Sequence, residues 1–273
     1  MDEKKLALVY MVAGMSSRFG GKIKQFAKVG PNDEELIKYS INQAYPSGFD
    51  KIVFIVGEKT EKPFKEMFGW QINHTPIQYA LQSYNPEERD RPWGTVDALL
   101  SAKKQIDCPF VVCNGDDLYG ENTFKMLANH LKKSDECATV GYKLGAVLPD
   151  AGNVTRGIFK KSMDSYVKKI VETSNISRQN LKDIGLNLND LCSMNIFGLQ
   201  PEVLGMLEER LEMFKSQYKG ERKAECLLPT EISSLIEKDK IKMKICTSTD
   251  KWYGVTNPED EEAVRKYIAK SIL

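Results

Sequence analysis

Leu6-Ala7-Leu8-Val9-Tyr10-Met11-Val12, running into Ala13-Gly14-Met15-Ser16-Ser17-Arg18-Phe19-Gly20-Gly21-Lys22-Ile23-Lys24-Gln25, is the stretch on which the fold turns. Residues 6–12 are apolar without alternation and have strand length. Continuous apolarity suits a strand covered on both faces, as in a parallel sheet. The run breaks at Ala13-Gly14 into a loop of small and cationic residues. Glycine lets backbone amides approach a ligand closely, and such amides donate to phosphate oxygens. Arg18 adds a planar fork for phosphate and Lys24 a point charge. The loop is neither G-x-G-x-x-G nor a Walker A sequence, so a solvated glycine-rich turn remains open at this point.

Outward from that stretch, strand and helix alternate. Helices are expected at 34–44, 59–68 (despite Pro63), 94–105 and 122–132, and strands at 51–56, 77–82 and 110–113. This predicts an α/β fold: an open, mostly parallel sheet with helices on both faces, binding its ligand outside the carboxyl ends of the strands. Beyond Cys137 the pattern changes. Strands are expected at 138–143, 156–159, 166–171, 195–199 and 241–246, with helices at 202–218, 230–238 and 258–271. No repeat or long linker interrupts the chain, so a single domain is expected. About residues 1–140 form its nucleotide-binding half and about 141–273 its partner-binding half.

Composition narrows the chemistry. The chain has 273 residues, 41% hydrophobic and 28% charged, with a formal net charge of +1. Those are globular values. Bulk attraction to nucleic acid or acidic membranes needs a more basic chain, so neither partner is expected. The six cysteines form no C-x-x-C pair and match no zinc spacing. The leading apolar run is too short for a membrane span and lacks signal-peptide architecture, which gives a cytoplasmic expectation. Only His74 and His130 are available to a histidine-dependent mechanism, and both sit in surface-type contexts.

Two further segments carry chemistry. Asn114-Gly115-Asp116-Asp117 places two carboxylates at the end of a buried strand, a hard-oxygen set suited to magnesium, although such residues also cap helices. Gln82 ends another strand, and its amide both donates and accepts. Gly94-Thr95 opens a helix with free amides. A cationic, amide-rich loop beside a magnesium-type carboxylate is what a nucleoside triphosphate needs.

These residues resemble the nucleoside-diphosphate-sugar pyrophosphorylases and related nucleotidyltransferases. That family carries a strand, then A-G-x-x-(S/T)-R-(F/L), then a lysine, matched here by Ala13-Gly14-Met15-Ser16-Ser17-Arg18-Phe19 and Lys24. The resemblance keeps its order through Gln82, Gly94-Thr95, Asp116, Arg156-Gly157, Ile170-Val171-Glu172, Met194-Asn195 and Trp252-Tyr253-Gly254. It implies the Rossmann-like nucleotide-diphospho-sugar transferase fold and Mg2+ as cofactor. It implies Arg18 and Lys24 as the catalytic cations and Asp116 as metal ligand. Ala13, Gly14, Met15, Gln82, Gly94 and Thr95 would contact the nucleotide, and Gly157, Glu172 and Asn195 the acceptor. It further implies in-line attack of a phosphate oxygen on the α-phosphorus, with pyrophosphate leaving. UTP or dTTP is the expected donor and a sugar 1-phosphate the expected acceptor. A phosphate monoester has a second pKa near ~6 and is largely dianionic at neutral pH, so no general base is required. The chain departs from the family twice: Thr173 stands where a lysine usually follows the glutamate, and Gly254 where a second magnesium carboxylate is common, with Asp250 nearby. Three rival readings follow: a cytidylyltransferase for a non-sugar phosphate such as phosphocholine, a glycosyltransferase, and a non-catalytic regulatory homologue.

Overall fold

The computed structural model describes residues 4–14, 23–150, 152–255 and 260–271. The N-terminal half runs β1 (Ala7–Met11), α1 (Leu36–Ala44), β2 (Lys51–Gly57), α2 (Glu58–Phe68), β3 (Gln71–Ile72), β4 (Thr75–Gln82), α3 (Thr95–Ser101), β5 (Phe110–Asn114), β6 (Asp117–Leu118) and α4 (Glu121–Lys133). It continues with β7 (Cys137–Lys143), α5 (Leu144–Val147), β8 (Val154–Lys161), β9 (Val167–Ile176) and β10 (Leu191–Leu199). The chain then adds α6 (Glu202–Gln217), α7 (Leu228–Glu237), β11 (Met243–Thr247), β12 (Tyr253–Gly254) and α8 (Asp260–Ser271).

Among the described residues the strands form one ten-stranded open sheet, ordered β11-β7-β10-β5-β1-β2-β4-β3, with β8 joined to β10 and β9 joined to β8. A small second ladder pairs β12 with β6. Alternate residues of β1 go to opposite cores, as strand geometry requires. Leu8 and Tyr10 join Ile37 and Ile41 of α1, Phe64 of α2 and Phe124 and Leu127 of α4. Ala7 and Val9 join Val96 and Leu99 of α3, Leu207 of α6 and Ile232 of α7. Both faces are therefore covered, which is why this strand has no polar side. Each fully buried Leu, Ile or Phe contributes about 1.5–3 kcal/mol.

The parallel core places the loops. β1 lies between β2 and β5 and pairs parallel with both, Met11 standing level with Ile55 and Asn114. The segments leaving β1 and β5 thus emerge side by side, and the Gly115 amide donates to the Met11 carbonyl at 3.1 Å. The sheet is mixed rather than parallel throughout. β10 runs antiparallel between β5 and β7, and β8 and β9 form an antiparallel hairpin beside it. Apolar periodicity carries no strand direction, so this reversal lies beyond what the pattern tells. The helix expected over 94–105 ends at Ser101 and passes into a 3-10 turn, Lys103–Gln105. The β8–β9 hairpin is longer than expected, because its outer residues are Lys, Thr and Asn rather than apolar.

Candidate active site

The loops after β1 and β5 meet at the sheet edge. Lys24 opens a 3-10 turn, Lys24–Phe26, and its ammonium forms an ion pair with Asp116, both side chains being largely shielded. Asp116 and its neighbour sit where β12 returns over β6: Val255 donates its amide to the Asp116 carbonyl at 3.1 Å, and Gly254 stands opposite Asp117. Asp117 is buried. Its Oδ2 accepts from Asn114 Nδ2 at 2.9 Å and lies 3.0 Å from the Tyr119 hydroxyl, which is also 2.9 Å from the Met194 carbonyl oxygen. Burial, and then the charge of Asp116, push the Asp117 carboxyl up to about 7 against those hydrogen bonds and Lys24.

The closing segment shows why no carboxylate stands at 254. A Cβ there would lie 2.5 Å from Asp117 Oδ1 and 2.5 Å from the Trp252 ring. Asp250 does not substitute for it. Its Oδ2 accepts from the Thr123 amide at 2.9 Å and its Oδ1 from Asn122 Nδ2 at 3.0 Å, so it caps the N-terminus of α4.

Gln82 is buried at the end of β4. Its Nε2 donates to Asp97 Oδ2 at 2.8 Å and to the Gly94 carbonyl at 3.1 Å. Both partners only accept, which fixes the amide orientation and turns Oε1 away from them. Gly94 has φ 98°, a left-handed value, and a Cβ would lie 2.6 Å from the Cys226 carbonyl oxygen. Only glycine fits that turn into α3. Thr95 Oγ1 accepts from the Leu228 amide at 2.8 Å, tying α3 to α7.

A cleft of about 290 Å³ runs from Thr95 past Asn114, Asp116 and Asp117 to Gly157, Glu172 and Asn195. Ladder geometry sets Gly157 level with both Glu172 and Ser193. Asn195 has φ 58° where the β10–β7 register shifts between Ser193 and Phe197. That bulge takes Asn195 out of the ladder and beside the cleft. Of the residues singled out in the sequence, Thr95, Asp116, Gly157, Glu172 and Asn195 line one cleft. Lys24 reaches it through Asp116, whereas Gln82 and Gly94 do not line it: Gln82 is bonded to the Gly94 carbonyl, one residue before Thr95. Ala13 and Gly14 follow β1, Gly14 being exposed, while Met15 and Arg18 lie outside the described residues. Asn114, Arg156 and Trp252 also line the cleft; the resemblance includes Arg156 and Trp252 in its motifs, but none of the three is among the site residues it implies. Asn114 is the last residue of β5 and opens the Asn-Gly-Asp-Asp segment, in which the two carboxylates draw the eye. Among the described residues no cluster of three or more His, Cys, Asp or Glu forms a ready-made metal cage, and the cysteines are free thiols. No described helix is long and apolar enough to cross a membrane.

The fold is an open α/β sheet with a cleft at the carboxyl edge of its parallel strands. The family model for nucleotidyl transferases matches residues 21–257, and the chain belongs to that family. Solved structures share its fold at low identity. The UTP-bound UGPase of Acinetobacter baumannii superimposes with a TM-score of 0.65 at 16% identity, covering 97% of this chain and 93% of that one. The inositol-1-phosphate CTP transferase of T. maritima gives 0.68 at 13% identity, covering 98% and 96%. The CTP:phosphocholine cytidylyltransferase of Streptococcus pneumoniae gives 0.63 at 12% identity, covering 97% and 99%. No curated protein matches the sequence significantly.

Proposed function

We propose that the chain transfers a nucleotidyl group from UTP or dTTP to a sugar 1-phosphate and releases pyrophosphate. The observation that carries this reading is the Lys24–Asp116 ion pair at the head of a cleft whose far end holds Glu172 and Asn195. A triphosphate laid along that edge meets its cations and its carboxylate at one end and an acceptor at the other.

The donor set fits magnesium. That ion takes one or two carboxylates and completes its shell with waters and substrate phosphates. Asp116 at the cleft wall, with Asp117 beside it, meets that need, while Gly254 and Asp250 do not contribute. When bound, magnesium would neutralise phosphate charge. Asp116 would hold it, and Lys24, freed from its carboxylate, would pair with phosphate oxygens. Arg18 would join Lys24 on the leaving pyrophosphate. The Ala13-Gly14-Met15 backbone would line the phosphate path. Catalysis then rests on positioning and charge, which suits a cleft without histidine.

Gln82 motivates the donor preference. With Nε2 held by Asp97 and Gly94, its Oε1 is the atom left for a base, and it requires a donor there. The imide N–H of uracil or thymine supplies one in the ring itself, while the ring nitrogen of cytosine only accepts. Each of the four ribonucleoside triphosphates and dTTP should be tested against phosphorylated sugars and alcohols by pyrophosphate release. UTP or dTTP is expected to lead by at least tenfold in kcat/KM. A clear lead for GTP would remove the donor assignment. Turnover of CTP with phosphocholine, and of no sugar phosphate, would move the chain to the non-sugar branch.

Glu172 is exposed on the cleft wall. A carboxylate there accepts from two adjacent hydroxyls, a charge-assisted contact of about 1.5–3 kcal/mol. Glu172→Ala is therefore expected to raise the acceptor KM on the order of tenfold to a hundredfold and to leave triphosphate affinity unchanged. Unaltered acceptor kinetics would take Glu172 out of the site.

A further inference from the structure

We propose that Arg156 and the indole N–H of Trp252 form an oxyanion subsite that takes the phosphate of the acceptor; the inference rests on the nucleotidyl-transfer reading for the identity of that anion. Among the described residues, five buried side-chain polar atoms have no hydrogen-bond partner. Two of them are nitrogen donors from this one cleft, Arg156 Nε and Trp252 Nε1. An unmatched buried donor carries a penalty of about 1–3 kcal/mol, and native structures seldom leave two side by side without use.

The two groups are neighbours. The Arg156 guanidinium sits 5.4 Å from the centre of the Trp252 ring. Its Nη1 donates to the Thr155 carbonyl at 3.0 Å, and no carboxylate among the described residues pairs with it. Burial pulls its guanidinium below the ordinary value, and the charge of Asp117 works against that. A guanidinium and an indole N–H have donors only, so the complementary ligand is an acceptor-only group. A phosphate dianion is such a group.

Strand register explains why the cation stands at 156. Arg156 lies directly opposite Thr173 in the β8–β9 hairpin, next to the Gly157–Glu172 pair. Thr173 is the position where the family pattern leads one to expect lysine. Directly opposed residues in a ladder lie on the same face with Cβ atoms ~5 Å apart. Arg156 and Thr173 thus share a face of the hairpin, opposite to that of Glu172, and of the two only Arg156 lines the cleft. The rest of the cleft wall is acidic, with Asp116, Asp117 and Glu172. Without Arg156, an incoming dianion would meet mainly like charge in this part of the cleft. A quaternary ammonium head group, by contrast, would meet the guanidinium.

The test needs binding as well as turnover. Inorganic phosphate and glucose 1-phosphate are titrated calorimetrically into the full chain, Arg156→Met, Arg156→Lys and Trp252→Phe, with thermal midpoints as a check on folding. Affinity for both anions is expected to fall tenfold or more in Arg156→Met, to recover in part in Arg156→Lys, and to fall severalfold in Trp252→Phe, which keeps the ring and loses the N–H. Triphosphate affinity should stay within twofold. Equal anion affinity in the natural chain and in Arg156→Met, including no binding in either, overturns the inference. If only acceptors with a second anionic group lose affinity, the subsite does not take the reacting phosphate, and the proposal fails in that form. Anion binding through Arg156 without pyrophosphate release from any substrate pair would leave the subsite standing and sink the nucleotidyl-transfer reading instead.

Discussion

Replacing Asp116 by alanine is expected to lower kcat by about a thousandfold or more while the chain stays folded. Asp116 ends the loop after β5, pairs with Lys24 and lines the cleft. Its side chain is largely shielded but not enclosed, so its removal opens no core cavity. The variant loses the proposed metal ligand, and a bound divalent cation is worth several kcal/mol of charge stabilisation in phosphoryl chemistry. Roughly 4 kcal/mol corresponds to a thousandfold in rate. Asp117 cannot easily take over, because it is buried and held by Asn114 and Tyr119. Single-turnover pyrophosphate release with magnesium measures the effect, and circular dichroism checks the fold. Near-normal turnover in the variant would show that Asp116 does not hold the metal.

The second large effect is on stability. Arg89 is a charged residue only 5% exposed, and it stacks on Trp93 with its guanidinium 3.4 Å from the ring centre. Its nitrogens donate to the carbonyls of Arg91 at 3.0 Å, Glu221 at 3.0 Å and Ala224 at 2.5 Å. The fork thereby ties the segment before α3 to the segment before α7. The same junction carries Gly94, whose carbonyl holds Gln82. Arg89→Met keeps an apolar stem over the indole and strips three carbonyls of their donor. Ala224 is half-buried while Arg91 and Glu221 are exposed, so water takes over part of what the guanidinium gave and the loss is roughly 2 kcal/mol. Urea unfolding measures it. Lysine cannot rebuild a planar three-way fork, so Arg89→Lys should recover little. A loss below ~1 kcal/mol in Arg89→Met would show that the fork is not what joins these segments.

How far the sequence reveals this molecule depends on what its signals encode. β1, β2 and β5 are read correctly from apolar runs because both of their faces are covered. Asp116, Glu172 and Asn195 are readable as motif residues, and they do line one cleft. The antiparallel course of β10 is invisible, since a buried run looks the same in either direction. So is the Lys24–Asp116 pair, which joins loops far apart in the chain through the β1–β5 register. Asp250 looks like a spare metal ligand in sequence and proves to be a helix cap, because only the fold brings it to the start of α4. Arg156 and Thr173 are separated by a whole hairpin, and their opposition appears only when the ladder is known. Arg89 sits in the charged stretch Glu87-Glu88-Arg89-Asp90-Arg91, yet it is buried.

The most direct measurement of the central claim is 31P nuclear magnetic resonance of a reaction of UTP or dTTP with glucose 1-phosphate and magnesium. The account predicts one inorganic pyrophosphate for every nucleoside diphosphate sugar formed, with loss of both signals in the Asp116→Ala variant. Release of inorganic phosphate in place of pyrophosphate, or no consumption of triphosphate with any phosphorylated acceptor, would contradict it.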